Sequence, residues 1–472
     1  MVNIKFNQGT GMKVQLILSD TESDLISFLK EKTSFTAKAG ELYYLPGQEE
    51  SVLLASLGEK DKVDAEALRL AAFKIAKSLE SNKVSEASLD LIDLTLPQEE
   101  VLAALIEGFI HSEYEFTYST KNDKDEKKDL AVSINNVEVD GEAILTSVRN
   151  IMEAVFLTRD LANLTSNYLH PEDLANKAVE VLEPLGVKVT VFNDKQMLEM
   201  GMEAAYSVGK GSDFGPRFIV MEYNGDESTK DRIALIGKAI CYDSGGYSLK
   251  PSRSMSTMQS DMAGAATVLS AIMALAKNQV KTNVIGAFAA CENVVSGRSY
   301  RVGDIISSLS GQTIEVDNTD AEGRVSLADS IYYASSQENV TRVIDIATLT
   351  GACISALGQE YTGAISNNQE FYEEFVAAAD AAGEKVWQLP IDDEFKNANK
   401  SKVADFINSA PGGAGTVTAG LFCGEFLANK ELPWIHLDIA GTSWRSAAKN
   451  YLPERATGYH VKAFYNLLAN EK

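Results

Sequence analysis

Six short apolar runs in the last two-thirds of the chain limit its fold more than any other feature: Gly186–Phe192, Arg217–Tyr223, Arg232–Gly237, Asn283–Ala290, Val343–Ala347 and Trp434–Ile439. They are nearly continuous in apolar residues. That pattern suits strands buried on both faces, as in a mostly parallel sheet covered by helices. Helical stretches separate the runs, so the expected architecture is an open α/β sheet. Ligands bind such sheets beyond the carboxyl ends of the strands. The residues that follow each run are therefore where chemistry is to be sought.

The first third reads as a smaller α/β domain. Strands are expected at Lys13–Leu18, Glu50–Ser56, Leu89–Leu94 and Leu130–Ile134, with helices at Val63–Leu79 and Gln98–Phe109. The almost wholly charged Lys121–Asp129 reads as an exposed loop. No acid–base constellation stands out, so this domain is assigned to assembly or access. Gly141–Leu164 has a helical pattern that the turn formers of Asn163–Pro171 end. The division is then residues 1–142, a connecting helix at 143–164, and a catalytic α/β domain with a mostly parallel central sheet at 165–472. A chain of 472 residues exceeds one ordinary core, which agrees with two domains.

Charge and composition narrow the class. A net charge of −24 argues against nucleic acid or an anionic membrane as the main partner. No apolar run is long enough to span a bilayer, and Met1–Phe6 does not open a signal peptide. Cys241, Cys291, Cys353 and Cys423 lack paired spacing and read as core thiols of a cytoplasmic protein.

The chemistry gathers after the apolar runs. Arg232–Gly237 leads into Lys238, Asp243, a Gly245-Gly246 pair and Lys250. Met258–Ala266 then carries Asp261 ahead of a helix of small residues, Ala263–Ala276. Asn318-Thr319-Asp320-Ala321-Glu322-Gly323-Arg324 places two carboxylates and a guanidinium at alternating positions, which would face one side if the segment were extended. Singly, these residues are solvated lysines, turn aspartates and a helix-opening carboxylate. Together they bring three Asp, one Glu and two Lys to strand ends. Carboxylates at that density repel one another unless divalent cations neutralise them. An oxygen-rich set suits hard or borderline divalent ions. The chain has four His and no His-Glu-x-x-His helix, which disfavours a His-based zinc site. Two metals sharing bridging carboxylates is the economical arrangement. It serves peptide hydrolysis and phosphoester chemistry alike.

These stretches resemble the leucine aminopeptidase (cytosol aminopeptidase) family of two-metal exopeptidases. Asn318–Arg324 matches that family's hallmark without change; Lys238, Asp243–Gly246 with Lys250, and Ser260–Ala266 match two further blocks. Ala239 and Tyr242 depart from the usual Gly and Phe. The resemblance extends from about Arg159 onward and is weaker before it. It implies that Asp243 and Glu322 bridge two divalent ions (Zn or Mn), with Lys238 and Asp261 completing one site and Asp320 the other. It implies that Lys250 polarises the scissile carbonyl, and that Arg324 anchors a bicarbonate general base with help from backbone at Gly323 and Leu349. A metal-bridged hydroxide then attacks, and the substrate's free amine enforces exopeptidase action. Met258, Thr348 and Gly351 match the family's side-chain pocket for bulky apolar residues such as Leu. The resemblance further implies a homohexamer acting on short peptides. Some bacterial members bind DNA, which the acidic balance of this chain disfavours.

Overall fold

The computed structural model describes residues 1–47, 50–119 and 129–469. The chain forms two compact units, Met1–Met152 with Ala448–Pro453, and Glu153–Ala447 with Glu454–Lys472. The helix Gly141–Asn163 contains the point of division.

The first unit holds a six-stranded sheet in the order Val2–Phe6, Leu130–Asn135, Glu86–Asp90, Met12–Leu18, Val52–Gly58, Leu42–Leu45. All neighbours run parallel except the last pair. Helices Ala65–Ser81 and Gln98–His111 fall where apolar spacing predicts them; Asp64 caps the first by accepting from Ala67 N–H. The expected strand Leu89–Leu94 begins and ends earlier, at Glu86–Asp90. Its inward residues Ala87 and Leu89 are fully buried, while Glu86 and Asp90 face out, so polar residues mask the strand in the sequence. Most of the charged Lys121–Asp129 stretch lies outside the described residues.

The second unit is built on a nine-stranded sheet. Its order is Val386–Gln388, Thr362–Ser366, Trp434–Asp438, Val340–Ala347, Arg232–Gly237, Asn283–Asn293, Arg217–Asn224, Lys188–Phe192, and Ala239–Asp243 adds to the carboxyl half of Asn283–Asn293. The central strands are parallel, and the antiparallel pairings lie toward both flanks. All eleven residues of Asn283–Asn293 are buried, as expected for a strand covered on both faces. The helix Ala263–Lys277 is buried along nearly its whole length, and its small residues permit close approach: a Cβ on Gly264 would lie 2.2 Å from Ile346 C=O. Among the described residues, no helix is long and apolar enough to cross a membrane. All four cysteines are buried and unbridged.

Candidate active site

The carboxyl ends of the central strands deliver the charged residues to one place. The strand Arg232–Gly237 breaks at Lys238 before resuming as Ala239–Asp243. At the break, Lys238 N–H donates to Ile346 C=O and its own C=O accepts from Ala265 N–H, both at 2.9 Å. The backbone is thus fully used while the side chain leaves the sheet. Its ammonium lies 2.8 Å from Asp261 Oδ2, 2.9 Å from Glu322 Oε1 and 3.0 Å from Thr348 C=O.

Asp243 ends the next strand. The chain then turns through Gly245 (φ +84°) and Gly246 (φ +62°), a conformation that a side chain would strain. The turn returns Lys250 to the cluster, where its ammonium sits 2.8 Å from Asp243 Oδ2 and 2.5 Å from Asp320 Oδ1. Oxygens of Asp243, Asp320 and Glu322 lie within 4.8 Å of one another.

The segment Asn318–Arg324 is not extended. It turns at Thr319–Asp320, closed by Ala321 N–H to Asn318 C=O, and Glu322 opens the helix Glu322–Ser335. Asp320 and Glu322 therefore converge through a turn into a helix and not through strand alternation. Two neutral side chains fix that turn. Asn408 accepts from Asp317 and Asn318 N–H and donates to Asn318 C=O. Thr319 donates its hydroxyl to Gly245 C=O and accepts from Ser248 N–H, both at 2.7 Å, binding the turn to the double-glycine loop.

With all four carboxylates ionised, as cation ligands must be, two ammonium groups leave this cluster two negative charges in excess. The electrostatics agree. Burial alone would lower Lys238, but Asp261, Glu322 and Asp243 hold it well above its usual range. Lys250 is likewise raised against its own burial by Asp243 and Glu322. Yet Asp261 and Glu322 are also raised, first by burial and then by Asp243, despite the lysines beside them. Burial also raises Asp320. The lysines thus do not neutralise the site. Glu322 Oε2 is buried with no hydrogen-bond partner among the described residues. Unspent acceptor capacity and excess negative charge in a dry cluster fit hard divalent cations. A neutral, ligating amine at Lys238 requires such added positive charge, because its protein neighbours all favour the ammonium.

The remaining sequence-derived residues surround this cluster. Arg324, in the first turn of the same helix, is buried; burial lowers its pKa, and its Nε has no partner among the described residues. Leu349 N–H is already donated to Asp438 Oδ1, at 3.2 Å. Thr348 donates its hydroxyl to Asp261 Oδ1 at 2.7 Å. Met258 is half-buried one turn before Asp261, and Gly351 is exposed, with open space where a Cβ would stand. A second group, Asp345, Cys423 and His436, is wholly buried. There both Asp345 oxygens are taken, by His436 Nδ1 at 2.5 Å and Trp434 Nε1 at 2.7 Å, which makes it a hydrogen-bonded core pair.

Comparison with known proteins decides between the hydrolytic chemistries this cluster could serve. The model of the cytosol aminopeptidase family catalytic domain matches residues 156–465, and that of the family's N-terminal domain matches residues 11–124. The chain belongs to the cytosol aminopeptidase family. A probable cytosol aminopeptidase of Treponema denticola is 45% identical over 99% of this chain and all of its own length. One from Clostridium tetani is 42% identical over 98% of each chain. Among solved structures, a tomato leucine aminopeptidase mutant superposes with a TM-score of 0.88 at 28% identity, covering 100% of this chain and 97% of its own. The bottromycin maturation enzyme BotP in complex with Mn gives 0.87 at 28% identity, covering 97% and 99%. This protein is a metal-dependent aminopeptidase, and the phosphoesterase alternative falls away. The sequence assigns roles to the charged residues that the structure gathers here but none to Asn408, Thr319 or Asn293, the neutral side chains that hold them.

Proposed function

We propose that this aminopeptidase removes N-terminal residues from short peptides, with two divalent ions (Zn or Mn) held by Lys238, Asp243, Asp261, Asp320 and Glu322. The carrying observation is the buried cluster itself, with two negative charges in excess and an unpartnered Glu322 oxygen at the strand ends. When bound, such ions supply Lewis acidity and an activated water at neutral pH. The chain's own residues do the rest. Lys250, at the more open edge of the cluster, directs its ammonium at the scissile carbonyl oxygen and stabilises the charge that develops there. Arg324, a buried cation without a carboxylate against its Nε, offers a seat for bicarbonate as general base. Gly323 N–H can assist it, whereas Leu349 N–H would first have to leave Asp438. A substrate's free α-amine would serve as a further ligand at this site, and an internal peptide bond has no such amine. That requirement confines the reaction to N-terminal residues.

Met258, Thr348 and Gly351 form the proposed side-chain pocket. Thr348 turns its hydroxyl to Asp261, and Gly351 leaves open space, so an apolar side chain meets little polar resistance. Each methylene buried contributes about 0.8 kcal/mol, enough to favour Leu over Ala. A cytoplasmic homohexamer is proposed on family resemblance. The test is to titrate metal-free protein with Mn²⁺ or Zn²⁺ and assay a panel of aminoacyl-amides, with sedimentation alongside. Activity that survives complete chelation would remove the metal reading. Equal efficiency on Asp- and Leu-amides would remove the pocket, and a monomer at working concentration the hexamer.

A further inference from the structure

We infer that Asn293 is a positioning residue that sets the orientation of the Asp243 carboxylate and locks the two halves of the metal cluster together. The inference rests on the metal-site reading above. Asn293 ends the fully buried strand Asn283–Asn293 and pairs in parallel register with Asp243. It is 1% exposed. Its single amide group donates twice: to Asp243 Oδ1 at 2.8 Å and to Thr319 C=O at 2.9 Å. Its backbone C=O accepts from Ser244 N–H at 2.9 Å and Ser244 hydroxyl at 2.8 Å. One residue thus holds the carboxylate, the peptide that follows it, and the peptide that precedes Asp320.

The consequence for Asp243 is geometric. Its Oδ1 accepts from both Asn293 and Gly245 N–H, each at 2.8 Å, which uses both lone pairs. Oδ2 is the oxygen left to face the cluster, where it meets Lys250. Rotation about the carboxylate would break two hydrogen bonds, so the ligand face is fixed before any cation arrives. A neutral donor is required here: an aspartate would set another carboxylate against Asp243 in a site already short of positive charge, and an apolar residue would leave Oδ1 half-satisfied. Hydrogen bonds to a ligating carboxylate tune metal affinity about 10–100-fold. Thr319 C=O also accepts from the Tyr300 hydroxyl at 2.8 Å, so removing the Asn293 amide does not strand it. That redundancy separates folding from positioning.

The experiment uses the full chain, stripped of metal and titrated with Mn²⁺ by calorimetry, for the unsubstituted protein, Asn293→Ala and Asn293→Ser. The expected result is a Mn²⁺ dissociation constant about 10–100-fold higher in Asn293→Ala. Asn293→Ser, which retains one donor, should fall between. Unfolding of the metal-free variants should come a few degrees lower, from the buried hydrogen bonds lost, and kcat should largely recover at saturating Mn²⁺. Unchanged Mn²⁺ affinity in a folded variant, with only the unfolding temperature lowered, would show a merely structural residue and overturn the proposal. If Asn293→Ala does not fold, the Ser variant decides by the same criterion. Failure of the unsubstituted chain to bind Mn²⁺ would instead sink the metal-site reading, and the proposal with it.

Discussion

Gly323→Ala tests whether the position of the Lys238 amine matters. Gly323 is the second residue of the helix Glu322–Ser335, and a Cβ there would lie 2.5 Å from Lys238 Cε, 2.6 Å from Nζ and 2.8 Å from Cδ. Carbon atoms pack at about 3.5–4.0 Å, so the side chain must shift by about 1 Å. It has little freedom to do so: Lys238 is 3% exposed and its ammonium is shared by Asp261, Glu322 and Thr348 C=O. For stability the terms partly offset. Alanine gains about 1 kcal/mol of helix propensity over glycine, and overpacking costs about 1–3 kcal/mol. The variant should therefore fold. A group misplaced by about 1 Å costs on the order of 10²-fold in rate, and that loss is the expected fall in kcat/KM on a Leu-amide at saturating metal. The alanine keeps its N–H, so any backbone role of residue 323 toward an anion survives the change. Gly297→Ala, where a Cβ meets nothing within 4 Å, is the control and should be neutral. A well-folded Gly323→Ala with kcat/KM within about threefold of the unsubstituted protein would refute the reasoning that the motif's glycine exists to admit Lys238.

Lys250→Ala should retain its metal while losing on the order of 10²–10³ in turnover, whereas Asp243→Ala should lose metal itself. Metal content equally low in both variants would make Lys250 part of the framework of the site. Arg324→Ala should lower the rate with metal content intact, and high bicarbonate should restore part of it; no response to bicarbonate at any concentration would refute the anion site. Asp329, wholly buried seven residues beyond Glu322, accepts from Ala205 and Leu309 N–H, and its pKa is raised to about 7, chiefly by burial. The folded state therefore holds this proton more tightly than the unfolded chain does. Its contribution to stability is greatest below about pH 4 and is lost as pH rises through about 7. Unfolding temperatures across that window should fall less steeply in Asp329→Asn, and an unchanged slope would count against the burial argument.

How much of this was legible in the sequence depended on where each residue's partner lies. The central strands were legible because burial on both faces writes itself locally as a nearly unbroken apolar run, as in Asn283–Ala290 and Arg232–Gly237. The short strand Ala239–Asp243 was not, because a lysine after an apolar run reads as the start of a loop. Lys238 stays in the interior only because Asp261, Glu322 and Thr348 reach it from elsewhere in the chain. The same non-local demand explains the alternation in Asn318–Arg324. Its spacing suggests an extended segment, and glycine is a poor residue for a helix interior, yet the helix begins at Glu322 and keeps Gly323 in its first turn because Lys238 occupies the space. Charged residues announce a site in sequence because their burial must be explained. Asn293, Thr319 and Asn408 carry no charge, and such residues occur in turns throughout proteins, so their role exists only in the geometry. A cluster with excess negative charge cannot be held in place by more carboxylates without deepening its own repulsion, nor by more lysines without replacing the cations it is shaped to receive. Neutral amides and hydroxyls are what remain, which is why the residues that hold this site are the ones its sequence leaves unmarked.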